Sequence, residues 1–215
     1  MIIIVSLVFI TIFYTGCTQR IGECRSETFM DNNKRKIVLE QHNWRRYFLA
    51  GGKPFPDKHH IGYPTASDMS VLYYDCDLEI AAYEIAIQCE SGRPNFNYVG
   101  TNNGTWKLIG FNADKIGEIV NKWWETALAG GNLVDLTPSQ RNTPMIPFLQ
   151  MANGKTNRVG CAFEICGDRE FEEYVLFVCA YGEQTIRVGN PIYTKGPPCG
   201  SCRGKCTFNG RLCDV

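Results

Sequence analysis

The sequence predicts an α+β fold in which helices cover a β-sheet on both faces, because three patterns follow one another along the chain. Apolar residues recur at helical spacing in several segments before residue 130. Strand-like patterns come later, at residues 158–165 and 174–181. The second of these is an unbroken apolar run, which is typical of a central strand buried on both sides. Helices are therefore expected above and below the sheet.

A first helix is predicted over residues 31–50. Asp31 or Asn32 can cap its N-terminus, and the pair Gly51 and Gly52 can end it. Its helical spacing is carried by four residues, Ile37, Gln41, Trp44 and Phe48.

Two more helices are predicted. One runs from Ser67 onward and places on one stripe Leu78, Ala82, Ile85 and Cys89. The other covers residues 113–129, where Trp123 and Trp124 are expected to pack in the core rather than to form a ligand platform. Residues 91–112, rich in Asn and Gly and without a regular period, are predicted to be a long exposed loop. Residues 132–147 are also expected to form a loop.

The later segments have the period of strands. Residues 158–165 alternate apolar Val159, Cys161, Phe163 and Ile165 with other residues, which predicts one buried face. Residues 174–181 are apolar throughout, as expected of a strand at the centre of a sheet.

Composition limits the classes of function. With 215 residues, 44% of them hydrophobic, the chain can form one well-filled domain and a small appendage. Twenty-two basic and twenty-two acidic side chains cancel, so the basic surface expected of a nucleic-acid-binding protein is missing.

The N-terminus predicts secretion. Residues 2–14 are almost wholly apolar, too short to cross a bilayer comfortably, and the small residues Thr15, Gly16 and Cys17 follow. Residues 1–17 are interpreted as a signal peptide; a short N-terminal anchor is the alternative. The sequon that begins at Asn103 is a predicted glycosylation site.

Cleavage of that segment would leave an even set of cysteines, which in a secreted chain predicts five disulfides. The ten are Cys24, Cys76, Cys89, Cys161, Cys166, Cys179, Cys199, Cys202, Cys206 and Cys213. The last four are expected to pair among themselves. Their short spacing would also suit a zinc site, but an oxidising compartment favours disulfides.

Three motifs near the end of the chain occur together. They are the run from Phe177 to Tyr181, the turn from Gly189 to Tyr193, and the segment from Gly196 to Cys202. Together they resemble the nematode branch of the CAP superfamily, also called SCP/TAPS or the Ancylostoma-secreted-protein type. His42, Asn43 and Arg46 match the family's element on the first helix. The resemblance implies a three-layer α-β-α sandwich over residues 18–195 and a hinge-like, Cys-rich tail over residues 196–215.

Many members of this family hold a divalent cation between two His and two Glu in a central cleft, and this sequence departs from that pattern. Pro147 and Thr126 stand where a His and a Glu are expected. Residues 98–103 contain no carboxylate, and no His follows Cys89. Neither a cofactor nor a bound metal is therefore expected, nor enzyme activity. The adjacent His59 and His60 are the alternative metal ligands or general base, but they are expected to be exposed to solvent.

The resemblance implies a host-interaction protein of a parasitic nematode that binds a host cell-surface receptor and inhibits platelet or leukocyte adhesion. The receptor is expected to be an integrin, because Gly167, Asp168 and Arg169 resemble acidic loops that complete an integrin's metal site. An ordinary polar turn is the alternative at these three positions. Carriage of a lipid or sterol is the alternative function, and a cation-dependent hydrolase is a third.

Overall fold

The computed structural model describes residue 24 and residues 28–58, 61–90, 100–129, 133–167, 172–182 and 186–214. The helices are α1 (Asn32–Ala50), α2 (Cys76–Ala86), α3 (Ala113–Glu125) and α4 (Ile146–Ala152). Short 3-10 helices cover Thr126–Leu128 and Gln140–Met145. The strands are β1 (Tyr73–Tyr74), β2 (Thr101–Lys107), β3 (Arg158–Cys166), β4 (Tyr174–Tyr181), β5 (Lys205–Thr207) and β6 (Leu212–Asp214).

Four strands form a mixed sheet in the order β1-β3-β4-β2. Strand β4 pairs antiparallel with both β3 and β2, whereas β1 pairs parallel with β3. Alternate residues of β4 face opposite sides. Phe177 and Cys179 belong to the larger core, shared with α1, α3 and α4, while Leu176 and Val178 pack against α2. The three-layer α-β-α sandwich is thus confirmed.

The thin layer between α2 and the sheet depends on small residues. Ala82 and Ala86 of α2 lie against Ala162 and Ala180. A Cβ atom on Gly160 would come within 2.2 Å of the backbone nitrogen of Glu79, so only glycine fits beneath the first turn of α2. Because α2 covers this face, β3 is buried on both faces along most of its length, not on one face as the alternation predicted.

The predicted bounds of α1 are confirmed, but its apolar stripe lies on the outside. Asp31 caps the helix by accepting a hydrogen bond of 2.8 Å from the Lys34 amide, and Gly51 follows its last residue. Trp44, at the centre of the stripe, is 61% exposed. The buried face consists instead of Arg35, Val38, Leu39, His42, Asn43, Arg46, Leu49 and Ala50. Polar side chains therefore occupy half of the buried positions of this helix.

Arg46 is a charged side chain on the buried face of α1, and hydrogen bonds to backbone carbonyls compensate for its burial. Its guanidinium is fully buried and donates hydrogen bonds only to backbone carbonyls. The acceptors are Ser70, Met151, Asn153, Gly154 and Thr156, at 2.7–3.3 Å. Burial lowers the pKa of Arg46 to about 9, so the group stays charged at neutral pH. One side chain thereby joins α1 to the segment before β1 and to the segment after α4.

Three predicted segments need correction. Residues 67–75 are not helical, because α2 begins only at Cys76, where the Asp75 carboxylate caps the helix. The predicted loop at residues 91–112 contains strand β2, an edge strand whose low β-propensity is compensated by pairing with β4. The loop expected at residues 132–147 contains the 3-10 helix Gln140–Met145 and the start of α4.

Five disulfides join the ten cysteines in pairs. They are Cys24–Cys76, Cys89–Cys166, Cys161–Cys179, Cys199–Cys206 and Cys202–Cys213. The last two confirm that the tail cysteines pair among themselves.

The tail packs against the main body of the molecule. Strands β5 and β6 form a hairpin. The Cys213 amide donates to the Met69 carbonyl and its carbonyl accepts from the Val71 amide, both at 2.8 Å. Leu212 is fully buried. The division of the chain at residue 195 stays a prediction.

Candidate functional site

The two altered cleft positions, Thr126 and Pro147, lie next to each other in the fold. The Thr126 hydroxyl donates to the Trp123 carbonyl at 2.7 Å and accepts from the Phe148 amide at 3.1 Å. Pro147 occupies the first turn of α4, where a missing amide hydrogen costs nothing. Both residues therefore join the end of α3 to the start of α4, and the Thr126 hydroxyl is already committed to backbone groups.

A chain of buried polar side chains runs beneath this junction. The Asn102 amide donates to the Pro147 carbonyl at 3.0 Å and to the Tyr181 hydroxyl at 3.1 Å. The Tyr181 hydroxyl lies 2.9 Å from His42 Nε2, and His42 Nδ1 lies 2.8 Å from the Val38 carbonyl. A carbonyl can only accept, so Nδ1 carries the proton and Nε2 accepts from the tyrosine.

This polar chain cannot exchange protons near neutral pH. Burial lowers the pKa of His42 to about 3, and the nearby charges of Arg45 and Arg46 act in the same direction. Burial also raises the pKa of Tyr181 well above its usual value. A general acid or base needs a pKa near the working pH, so neither group is suited to that role. The role of His42 is therefore structural: through its hydrogen bond with Tyr181 it orients Tyr181 and Asn102.

The residues at the junction do not fit a divalent metal. A zinc site needs three or four nitrogen, sulfur or carboxylate ligands. Within the described ranges, the Asn102 side-chain oxygen is a buried acceptor without a partner. It is one uncharged amide oxygen, which is too little to bind a divalent cation. The buried carboxylate of Glu79 is held by Arg35 at 2.8 Å and by Thr28 at 2.5 Å. In the part of the chain that the structure describes, the one suitable cluster is Cys199, Cys202 and Cys213, whose sulfurs are all in disulfides.

We expect zinc to show no saturable binding to the folded protein at micromolar concentration, because no ligand set exists at the junction. Isothermal titration of the disulfide-intact protein with zinc measures this. Binding at that level would contradict the expectation. The same titration of the double variant His59→Ala, His60→Ala would then show whether those two histidines, which lie outside the described residues, supply the ligands.

The other predicted site residues are scattered. Gly167 lies just after β3 with φ +97°, a conformation that favours glycine, while Asp168 and Arg169 lie outside the described residues. Asn103 is half-buried on β2, and its carbonyl accepts a hydrogen bond of 2.8 Å from the Trp123 indole. Glycosylation of Asn103 stays a prediction, as does the signal peptide at residues 1–17, which also lies outside the described residues.

Two cavities in the structure were not predicted from the sequence. One, of about 550 Å³, lies beside the junction and is lined by apolar residues that include Tyr63, Leu128, Leu133 and Leu136. The other, of about 470 Å³, lies on the outer face of α1 and includes Trp44. The aromatic pair Trp44 and Phe48, one turn apart, was the available signal for the second cavity. No helix within the described ranges is long and apolar enough to span a membrane.

Comparisons with known proteins agree with the fold. The signature of the Cysteine-rich secretory protein family (CAP) matches residues 39–181. The Ancylostoma secreted protein of Ancylostoma caninum is 30% identical over 209 residues, which cover 90% of this chain but only 47% of that protein. Hookworm platelet inhibitor 1, from the same organism, is 26% identical over 83% of this chain and 78% of its own length.

A solved structure gives the same result. The crystal structure of NaASP2 with Zn²⁺ superimposes with a TM-score of 0.75 at 27% sequence identity, covering 89% of this chain and all of that chain. That relative was crystallised with zinc, whereas the junction of Thr126 and Pro147 described above lacks metal ligands.

Proposed function

Because the chain belongs to the Cysteine-rich secretory protein (CAP) family, we propose that it is a secreted, non-enzymatic protein of a parasitic nematode that binds a host cell-surface receptor. Its effect would be to inhibit the adhesion or aggregation of platelets or leukocytes. The observation that carries this proposal is that Thr126 and Pro147, which stand where the family resemblance leads us to expect a Glu and a His, offer no carboxylate or imidazole, in a chain similar to hookworm platelet inhibitor 1. A protein without a competent cleft acts through its surface.

The scaffold supports a binding role. Five disulfides and three packed layers hold the described helices and strands in fixed positions, from which the loops extend. Rigid loops lose less conformational entropy when an interface forms, so affinity is gained without a large contact area. The disulfide Cys89–Cys166 ends one residue before Gly167, and it anchors the start of the segment that contains Asp168 and Arg169. We propose that this segment contacts an integrin-type receptor, with Asp168 as the metal-directed carboxylate.

Adhesion assays test the proposal. The folded protein should inhibit adhesion of platelets to fibrinogen or collagen, or of neutrophils to fibrinogen, in a dose-dependent manner. Asp168→Asn should raise the concentration for half-maximal inhibition at least about tenfold, because a neutral amide is a weaker ligand for a receptor-bound cation.

Two controls test whether inhibition depends on Asp168 in particular and on the folded protein. Asp114→Asn removes an exposed carboxylate from the start of α3 and should leave inhibition unchanged. The reduced and alkylated protein should be inactive, since its loops are no longer fixed. Absence of inhibition in every assay would refute receptor blockade. Full inhibition by Asp168→Asn would instead remove the integrin-loop assignment.

Carriage of a lipid is the second candidate, and the cavity beside the junction favours it. Its volume of about 550 Å³ lies in the range typical of small-molecule sites, and its lining includes the apolar side chains of Leu128, Leu133 and Leu136. The ion pair between Lys195 and Asp135, at 2.5 Å, places charge beside this apolar space. Mass spectrometry of the purified protein under native conditions would detect a co-purifying lipid.

A further inference from the structure

The outer face of α1 and the loop after it enclose the cavity of about 470 Å³ that contains Trp44. Trp44 and Phe48 come from the helix, Phe55 comes from the loop, and Trp124 comes from the end of α3. We call this cavity, with these four aromatic side chains, the aromatic pocket. Trp44 is 61% exposed and Phe48 and Phe55 are half-buried, whereas Trp124 is only 2% exposed. Aromatic side chains clustered at one surface cavity are typical of binding sites.

The aromatic rings of the pocket form two contacting pairs, one on α1 and one between the following loop and α3. Trp44 and Phe48 lie 4.8 Å apart between centroids, with their planes at 84°. Phe55 lies 6.5 Å from Trp124, and the Trp124 indole donates to the Pro54 carbonyl at 3.0 Å. Trp44 and Phe48 therefore pack edge to face, and an aromatic face that remains open to solvent can contact a cation, as in the sites that recognise quaternary ammonium groups.

The protein itself already places a cation in this pocket. The Lys58 ammonium lies 5.5 Å above the centroid of Phe55. Within the ranges that the structure describes, no carboxylate lies within ion-pair distance of Lys58. The aromatic wall is thus accessible to an ammonium group, and a flexible lysine is easily displaced by a better-fitting one.

A fixed positive charge lies in the same cavity. The Arg45 guanidinium donates to the Gln41 carbonyl at 2.8 Å, to the Gln41 side chain at 2.6 Å and to Asn121 at 2.9 Å. These acceptors are neutral, and among the described residues no carboxylate lies within 4.0 Å of Arg45. Burial lowers the pKa of Arg45 to about 10, an effect that the nearby Glu125 carboxylate opposes, so Arg45 remains charged at neutral pH.

The charged side chains that line the aromatic pocket favour a zwitterionic ligand over a simple ion. Asp57 and Glu125 also line the cavity, and both are exposed. With Arg45 and Lys58 they give two charges of each sign. A simple anion would meet the two carboxylates, and a simple cation would meet Arg45. A ligand that carries both charges a short distance apart can pair with both.

We propose that the aromatic pocket binds phosphocholine, with the trimethylammonium group against Trp44 and Phe48 and the phosphate on Arg45. The aromatic faces and the exposed carboxylates would stabilise the permanent cation, which cannot donate a hydrogen bond. The guanidinium N–H groups that are not donated to Gln41 and Asn121 would bind the phosphate oxygens. This site lies on the surface of α1 and does not depend on receptor blockade or on the altered cleft.

Isothermal titration of the folded chain with phosphocholine should show saturable binding below about 10 mM. Trp44→Leu and Arg45→Gln should each weaken it about tenfold, because each removes one of the two charge-recognising groups. Trp44 is exposed and Arg45 is half-buried, and thermal unfolding of each variant shows whether the weaker binding reflects loss of the site or loss of the fold. Trp106→Leu is the matched control, since Trp106 lies in a different cavity beside Lys122 and its loss should leave affinity unchanged.

Choline alone and inorganic phosphate alone should each bind at least about tenfold more weakly than phosphocholine. Phosphatidylcholine vesicles and a phosphocholine–albumin conjugate distinguish the sources of the group. Binding of the vesicles, lost in Trp44→Leu, would support a membrane head group; binding of the conjugate alone would support a soluble or glycan-borne group. The proposal is overturned by absence of saturable binding, by inorganic phosphate binding as tightly, or by an unchanged affinity of Trp44→Leu.

Discussion

Replacing Arg46 with Met will lower the free energy of unfolding by about 3–5 kcal/mol, the range found when one partner of a buried charged network is removed. The side chain is fully buried and supplies the hydrogen-bond donors for five backbone carbonyls. Methionine fills part of the volume but removes the Arg46 donors. The Asn153 and Gly154 carbonyls keep amide donors from Thr156 and Ser70, whereas each buried acceptor left unsatisfied costs on the order of 1–3 kcal/mol before relaxation. Urea unfolding followed by tryptophan fluorescence, with the disulfides intact, measures the change.

The neighbouring residue provides the control. Arg45→Met alters the same residue type on the same helix, but Arg45 is half-exposed and its acceptors lie on the surface. Its cost should be about 1 kcal/mol or less. Arg46→Lys retains the charge with three donors instead of five and gives an intermediate variant if the methionine protein does not fold. Equal losses for Arg45→Met and Arg46→Met would contradict the assigned role.

Acidification will destabilise the protein through His42 by on the order of 4 kcal/mol between pH 6.5 and pH 3. Burial lowers the folded-state pKa of His42 from 6.5 to about 3. In this window the unfolded chain binds a proton that the folded protein does not bind. The contribution is therefore complete above pH 6.5, and it is lost progressively as the pH falls toward the folded-state value. Unfolding free energies measured in urea across this window give the slope.

Comparison with His42→Gln isolates the effect of this one group. Glutamine keeps an acceptor for the Tyr181 hydroxyl but does not titrate, so every other ionisable group contributes equally to both proteins. The difference in unfolding free energy between wild type and variant should change by up to about 1.4 kcal/mol per pH unit. Parallel stability curves would show that His42 is protonated in the folded state as readily as in the unfolded one.

The sequence predicted the helices and strands whose signals are local. The bounds of α1 follow from Asp31 and Gly51, and those of β4 from its unbroken apolar run. Strand β2 was missed because Asn102, Asn103 and Gly104 are poor strand formers. Packing requires the glycine, since a Cβ atom there would lie 2.8 Å from the Ile119 side chain. The residue that lets the strand approach α3 is the one that conceals it in the sequence.

The orientation of α1 could not be predicted for a related reason. Periodicity places apolar residues inside, yet the buried face contains His42, Asn43 and Arg46 because their partners come from distant segments. Asn43 exchanges hydrogen bonds of 2.8–2.9 Å with the backbone of Leu72, 29 residues away. Thr126 and Pro147 could be singled out in the sequence because a family motif marks their positions, and their assignment as altered cleft positions stays a prediction. The aromatic pocket has no such motif, and it appears only when Phe55 and Trp124 are brought to the outer face of α1.

The tail hairpin imposes an order on folding. Strand β6 bonds to residues 69–71, and the Tyr73 hydroxyl donates to Asp214, 141 residues further along the chain. At a synthesis rate of about 5–20 residues per second, several seconds therefore pass between translation of the segment before β1 and translation of β6, its hydrogen-bonding partner. Contacts at such separations also raise contact order and slow folding. Completion of this part of the core, and closure of Cys202–Cys213, is consequently a late event that follows translation of residue 213.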